Sequence, residues 1–215
     1  METTNKNYLS QNETMKRIFD IIFSTLAIIL TSPLIIIFII IIKTEQVLRG
    51  TPFASFLYHE VRYTKGRPFT FYKFNIFKQE VLDDMLRDGD FVHTKNIERN
   101  GGLTKFGWVL KQIYLDELPQ IFNVFVGDMS IVGPRPANQE VFDLLMSRNI
   151  TSKSLVKAGL TGNFQSHKNT AGIKANDLDY QYVQFLITKP WYKVIIFDIK
   201  IMLRTIKLLV RAQGL

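Results

Sequence analysis

The sequence predicts an α/β fold, mostly helical with short strands, joined to a membrane through one N-terminal helix. Three observations lead there. Residues Ile18 to Ile42 form a dense apolar run with no charge from Ile21 onward. The chain after it alternates helical periodicity with one aromatic, β-favouring stretch between glycine and proline breaks. The last thirty residues interleave apolar and basic side chains at helical spacing. A length of 215 residues suits one domain with an appended membrane element, is ample for a buried core, and leaves little room for a second catalytic domain.

The apolar run reads IFDIIFSTLAIILTSPLIIIFIIII, about long enough at ~1.5 Å per residue to cross a hydrocarbon layer of ~30 Å. It is too long for a signal peptide, and no small-residue cleavage site follows it. Thr31-Ser32-Pro33 sits in its middle, where proline removes a backbone donor and a kink is expected, with Ser32 or Thr31 bonding the freed carbonyls. Basic residues flank both ends, Lys16 and Arg17 before, Lys43 and Arg49 after. A spanning helix concentrates such charge on one side. On physical grounds alone, spanning and re-entrant arrangements both remain open. Asp20 is expected to cap or pair with Lys16 or Arg17 at headgroup level, a structural part.

Further elements follow in order. Gly50-Thr51-Pro52 marks a turn, and Arg67 to Phe74 reads as a strand after a Lys65-Gly66 hairpin-like turn. A helix is expected from Lys78 to Arg87, ended by Asp88-Gly89-Asp90, with another break at Arg99-Asn100-Gly101-Gly102. A helix around Thr104 to Ile113 comes next. Another is expected to start near Asp116, with Pro119 in its first turn, and to close at Gly127-Asp128. Gly133-Pro-Arg-Pro136 is too stiff for helix or central strand. Gln139 to Arg148 is helical in pattern, and Ala158-Gly-Leu-Thr-Gly162 reads as a loop. Trp191 onward is a basic amphipathic helix, suited to the headgroup region or to packing on the core.

The net charge of +8 favours an anionic partner without choosing among nucleic acid, lipid and phosphorylated substrate. With no cysteine, disulfides, thiolate catalysis and cysteine metal sites are excluded. His59, His93 and His167 lack metal-ligand spacing. Charge interleaved with aromatics between Phe69 and Phe74 raises nucleic-acid binding, but no nucleic-acid motif accompanies it, and no such partner is expected.

The densest chemistry lies between Leu115 and Pro136. Adjacent carboxylates such as Asp116-Glu117 usually only cap a helix, yet they could also hold a divalent cation or present a nucleophile. Two prolines stiffen the backbone around Arg135, lowering the entropy lost when its guanidinium forks around a phosphate. Together these residues make sense around a diphosphate.

Here the sequence resembles the bacterial sugar transferases, specifically the small monotopic phosphoglycosyl transferases. The resemblance runs from about Lys16 to the C-terminus and is strongest over Leu115 to Pro136. Lys16-Arg17 with Asp20, Ser32-Pro33, Gly50 with Pro52, Arg62 with Gly66, Phe69, Tyr72-Lys73-Phe74, Gly159-Leu-Thr-Gly162 with Gln165, and Asp198 support it. It implies a tail over 1–15, a re-entrant membrane helix over 16–49 broken at Ser32-Pro33, and a catalytic domain over 50–215 ending in an interfacial helix. It further implies a UDP-sugar donor, a polyprenyl (undecaprenyl) phosphate acceptor and Mg²⁺. Asp116 would be the nucleophile, Glu117 its partner in the dyad, and both would bind the metal. Arg135, Lys111 and Lys73 would hold phosphate. The expected setting is the cytoplasmic leaflet of a bacterial inner membrane, at the first membrane step of glycoconjugate assembly; monomer and homodimer both stay open.

Three departures stand out. Tyr72-Lys-Phe continues as Asn75-Ile-Phe where the family usually has Arg-Thr-Met or Arg-Ser-Met, Lys111 stands where arginine is common, and Ala158 replaces the usual proline. They keep in view an alternative, an idle membrane protein of the same fold that binds polyprenyl phosphate or a partner.

Overall fold

A computed structural model of the chain describes residues 2–88, 101–167 and 174–210. Gly89-Asp90, Arg99-Asn100, His93 and Arg211 lie outside them. In order the elements are α1 (Glu2–Leu48), β1 (Leu57–Thr64), β2 (Arg67–Phe74), α2 (Gln79–Asp88), α3 (Lys105–Gln112), a 3₁₀ turn (Leu115–Glu117), α4 (Gln120–Val126) and β3 (Ser130–Val132). Then come α5 (Gln139–Ser147), α6 (Ser152–Leu155), β4 (Gly159–Thr161), a 3₁₀ turn (Gln165–His167), α7 (Ala175–Thr188) and α8 (Trp191–Val210). The chain is thus mostly helical with short strands, as the sequence predicts. It divides into two compact units: Met1–Ile29, Glu60–Phe71 and Gln120–Leu215 form the first, Leu30–His59 and Tyr72–Pro119 the second.

Helix α1 stays helical through Ser32 and Pro33, so any deflection that Pro33 imposes is a bend within a helix and not its end. Among the described residues it is the one helix long and apolar enough to cross a membrane. Its first part is inside out by the standards of a soluble helix. Asn12, Lys16, Asp20 and Ser24, four residues apart, are all buried, whereas Ile18, Ile22, Leu26 and Ile29 are about half exposed. An apolar face left outward suits a lipid surround.

In the first unit this polar ladder does structural work. Asn12 donates to the Leu186 and Lys189 carbonyls at the end of α7 (2.6 and 2.8 Å). Arg17 donates to the Val124 and Phe125 carbonyls at the end of α4, both at 2.7 Å, which answers orphan acceptors and the negative end of that helix. Asp20 accepts from Ser130 Oγ (3.1 Å) and from the Ile131 amide (3.0 Å). Asp20 thus has a structural part, as expected, but bonds Ser130 and the Ile131 amide, while Lys16 pairs with Asp198 and Arg17 bonds the carbonyls ending α4. The core around them joins Phe69, Phe71, Met129, Ile131, Tyr182, Val183 and Ile201, with Phe185 and Phe197 at 4.6 Å.

Ala158 to Gly162 is not merely a loop. Residues Gly159–Thr161 form β4, parallel to β3 in the register Ser130↔Gly159 and Val132↔Thr161. The backbones come so close that a Cβ at Gly133 would strike the Lys157 carbonyl and the Gly159 amide nitrogen, and one at Gly159 the Gly133 backbone. Glycine at both positions makes this pairing possible.

In the second unit the later part of α1 contributes Phe38 and Ile42, packed with Phe74, Ile76, Phe77 and Leu110. Phe38 meets the rings of Phe74 and Phe106 edge-on at 5.8 and 5.5 Å. Lys43 donates to the Pro52 and Ala54 carbonyls, and Glu45 accepts from the amides of Lys105 and Phe106 at the start of α3. In the first unit, the turn between β1 and β2 runs through Lys65 and Gly66, both at positive φ (46° and 76°), as the Lys-Gly pair predicts.

Candidate functional site

Asp116 and Glu117 are fixed from both sides. Upstream, Thr104 caps α3 by accepting from the Gly107 amide at 2.9 Å, and Gly107 lies against the Ile76 backbone with no room for a Cβ. After α3 the chain reverses at Tyr114, whose φ of 58° is left-handed, and enters the 3₁₀ turn Leu115–Glu117. Leu115 and Leu118 pack into the apolar core of the second unit, which pins the two carboxylates between them. The expected α-helix start at Asp116 is corrected here: the dyad occupies a 3₁₀ turn, and α4 begins only at Gln120, after Pro119. A proline there lacks the donor that a helix start leaves unused anyway.

Each carboxylate has a lysine beside it. Lys111 Nζ lies 3.9 Å from Asp116 Oδ2, and Lys73 Nζ, carried on β2, lies 3.3 Å from Glu117 Oε1. The structure thus brings together four of the residues singled out in the sequence. Asp116 is only 1% exposed. Two carboxylates and two ammonium groups balance in charge, and lysines on flexible stems have three donors each to offer an incoming phosphate.

Arg135 belongs to the first unit. Pro134 and Pro136 on either side are buried, Arg135 itself is exposed, and its carbonyl accepts from Lys153 Nζ at 2.7 Å.

The departures have structural explanations in two cases. Asn75 is buried, donates to the Ser55 carbonyl (3.0 Å) and accepts from the Phe77 amide (3.1 Å), so it organises the chain after β2. The Ala158 amide donates to Thr64 Oγ1 at 3.0 Å, a bond that a proline there would forgo.

The carboxylates that a divalent ion at this turn would use are Asp116 and Glu117. Among the described residues no group of three or more histidine or carboxylate side chains is placed to hold a metal. Mg²⁺, however, is commonly bound by one or two carboxylates together with substrate phosphates. The adjacent Asp116 and Glu117 match that smaller requirement.

One cluster escaped physical reasoning from the sequence. Lys16 forms an ion pair with Asp198 of α8 and donates to the Val132 carbonyl at 3.2 Å. The Tyr182 hydroxyl lies 2.9 Å from Asp198 Oδ1 and 3.0 Å from the same carbonyl. Burial pushes the Asp198 carboxyl up, against the pull of Lys16, while burial and then Asp198 push the Tyr182 hydroxyl far above its ordinary range. The four-residue spacing of Asn12, Lys16, Asp20 and Ser24 was the available signal.

Residues 11–212 match the bacterial sugar transferase family. The chain is 36% identical over 156 residues to the UDP-glucose:undecaprenyl-phosphate glucose-1-phosphate transferase of Klebsiella pneumoniae, covering 70% of this chain and 30% of that protein. It is 30% identical over 211 residues to the undecaprenyl-phosphate galactose phosphotransferase of Salmonella typhimurium, covering 93% and 41%. To the exopolysaccharide production protein ExoY of Rhizobium meliloti it is 31% identical over 179 residues, covering 79% and 76%. The chain therefore spans less than half of the first two relatives and most of the third.

Proposed function

This chain belongs to the bacterial sugar transferase family, and we propose that it moves a sugar 1-phosphate from a UDP-sugar to polyprenyl phosphate, releasing UMP. The observation that carries the proposal is the enclosed Asp116-Glu117 turn with Lys111 and Lys73 beside it. The names of the Klebsiella and Salmonella relatives, both undecaprenyl-phosphate sugar phosphotransferases, support the reaction class.

In the first step an Asp116 oxygen attacks the β-phosphorus of the donor, and the bond from that phosphorus to the bridging oxygen breaks, the electron pair leaving with UMP. In the second, a phosphate oxygen of the polyprenyl phosphate attacks the same phosphorus and Asp116 departs, giving a polyprenyl diphosphate sugar. A carboxylate needs no deprotonation at neutral pH, so no general base is required to start. Lys111 and Lys73 turn from the carboxylates to the phosphate oxygens, and the family resemblance assigns Arg135 to phosphate binding as well. Bound Mg²⁺, held by Asp116 and Glu117, would supply charge neutralisation between nucleophile and diphosphate.

The same reading takes residues 16–49 as a re-entrant helix bent at Ser32-Pro33, with a tail over 1–15 and a catalytic domain over 50–215 on the cytoplasmic leaflet of the inner membrane. The outward apolar face of α1 supports membrane seating. In α8, Val194 and Ile201 face the core while Trp191, Ile196, Leu203 and Ile206 are exposed, in keeping with a helix that packs on one side and meets headgroups on the other. The deciding experiment is mass spectrometry of the protein incubated with each of a panel of UDP-sugars and Mg²⁺ without acceptor. A sugar-phosphate increment on the peptide containing Asp116 is expected, and UMP release by Asp116→Asn at the parent rate would overturn the assignment.

A further inference from the structure

Within the first unit a cavity of about 380 Å³ opens beside the start of the apolar run, and its charged groups do not all pair off. Lys16 is taken by Asp198, Arg17 by the carbonyls ending α4, Asp20 by Ser130 and the Ile131 amide, and Glu13 by Lys65 at 2.6 Å. Lys157 lines the cavity and has no hydrogen-bond or ion-pair partner for its ammonium among the described residues. It is only partly exposed. Burial, then the Arg17 guanidinium, lowers its pKa, with Arg67 adding to the effect and Asp20 and Glu13 opposing it. A cation crowded by cations in a partly enclosed space is a standing demand for an anion.

The cavity is also apolar on one side. Val156 and Leu186 contribute to its wall, and Ile18 stands at it. Ile18 begins the outward stripe that continues through Ile22, Leu26 and Ile29 on α1. A charged head and a long tail would both be accommodated.

We propose that this cavity receives the phosphate headgroup of an anionic lipid, with Lys157 and Arg17 as its cationic contacts and the chain lying along the Ile18–Ile22–Leu26–Ile29 stripe. A phosphate accepts from several donors at once, and the Arg17 guanidinium has further donors beyond the two on the α4 carbonyls. The proposal uses none of the chemistry assigned to Asp116, so its test needs no donor and no turnover.

The experiment is amine-reactive labelling of the full chain in phosphatidylcholine nanodiscs, read by mass spectrometry at Lys157 against the exposed Lys105 as reference. Three additions are compared: phosphatidylglycerol in the bilayer, polyprenyl phosphate in the bilayer, and inorganic phosphate in the buffer. A several-fold loss of Lys157 labelling with both lipids supports a general anionic-lipid seat. A loss with polyprenyl phosphate alone supports a seat for the acceptor. Protection by inorganic phosphate alone, or by nothing, overturns the proposal. As a second measurement, Lys157→Gln should retain several-fold less anionic lipid through purification than the parent, and Lys157→Arg should retain it. Because Lys157→Gln removes a crowded cation, its lipid-free unfolding temperature should equal or exceed that of the parent, and unchanged lipid retention in a folded Lys157→Gln protein also overturns the proposal.

Discussion

Lys16, two residues before the apolar run, forms a buried ion pair with Asp198, 182 positions further along the chain. Removing one partner leaves a buried charge unanswered, which typically costs ~3–5 kcal/mol. Lys16→Ala is therefore expected to lower the unfolding midpoint sharply, and the double variant Lys16→Ala/Asp198→Asn to recover part of the loss. Denaturant unfolding in detergent micelles checks this; a double variant as unstable as the sum of the two singles would show that the residues are not coupled.

Lys111 and Lys73 are expected to act on donor phosphate more than on folding. A hydrogen bond to a charged group contributes ~1.5–3 kcal/mol, so Lys111→Ala and Lys73→Met should each lower kcat/KM for the UDP-sugar about 10–100-fold. Lys111→Arg keeps the charge and adds a planar fork, and should preserve activity. Steady-state UMP release measures all three; a Lys111→Ala enzyme with parental kcat/KM would remove that lysine from the site.

At Gly159 an added methyl would meet the Gly133 backbone and the Thr161 carbonyl. Overpacking of this kind costs ~1–3 kcal/mol where neighbours can shift, and here they are main chain in a parallel pairing. Gly159→Ala should thus be markedly less stable than Ala158→Gly, which keeps the pairing intact. Comparing their unfolding temperatures decides the matter.

The pH dependence of stability should carry the signature of Asp179. Burial raises its pKa against the opposing effect of Lys153, whose Nζ lies 3.1 Å away. A carboxyl raised in the folded state binds more protons there than when unfolded. Its contribution is therefore fully present below the ordinary carboxylate range and is lost as pH climbs through the folded value. Asp179→Asn should flatten that part of the stability curve. If the curves of parent and variant have the same slope over that interval, Asp179 does not titrate as described.

Sequence reasoning reached most local elements because their signals are local. Arg67 to Phe74 carries the β-favouring aromatics and is a strand over those residues; Lys65-Gly66 supplies the turn; Thr104 caps the helix predicted there; Gly127 ends α4. Helices α6 and α7, strand β1 and the short β3–β4 pair stand outside the elements that the sequence pattern predicts. Ser130–Val132 and Gly159–Thr161 are three residues each, too short for periodicity, and exist only because two distant glycines let the backbones meet.

The candidate site divides the same way. The sequence by itself determined the family, the apolar run and the identity of the groups Asp116, Glu117, Lys111, Lys73 and Arg135, since side-chain chemistry and short motifs are properties of the chain. Only the tertiary structure decided that Asp116 and Glu117 ride a 3₁₀ turn beside two lysines, and that Lys16, Arg17 and Asp20 face inward. Those facts depend on which distant carbonyls, amides and carboxylates come within ~3 Å, a hydrogen-bonding distance that no pattern along one chain encodes.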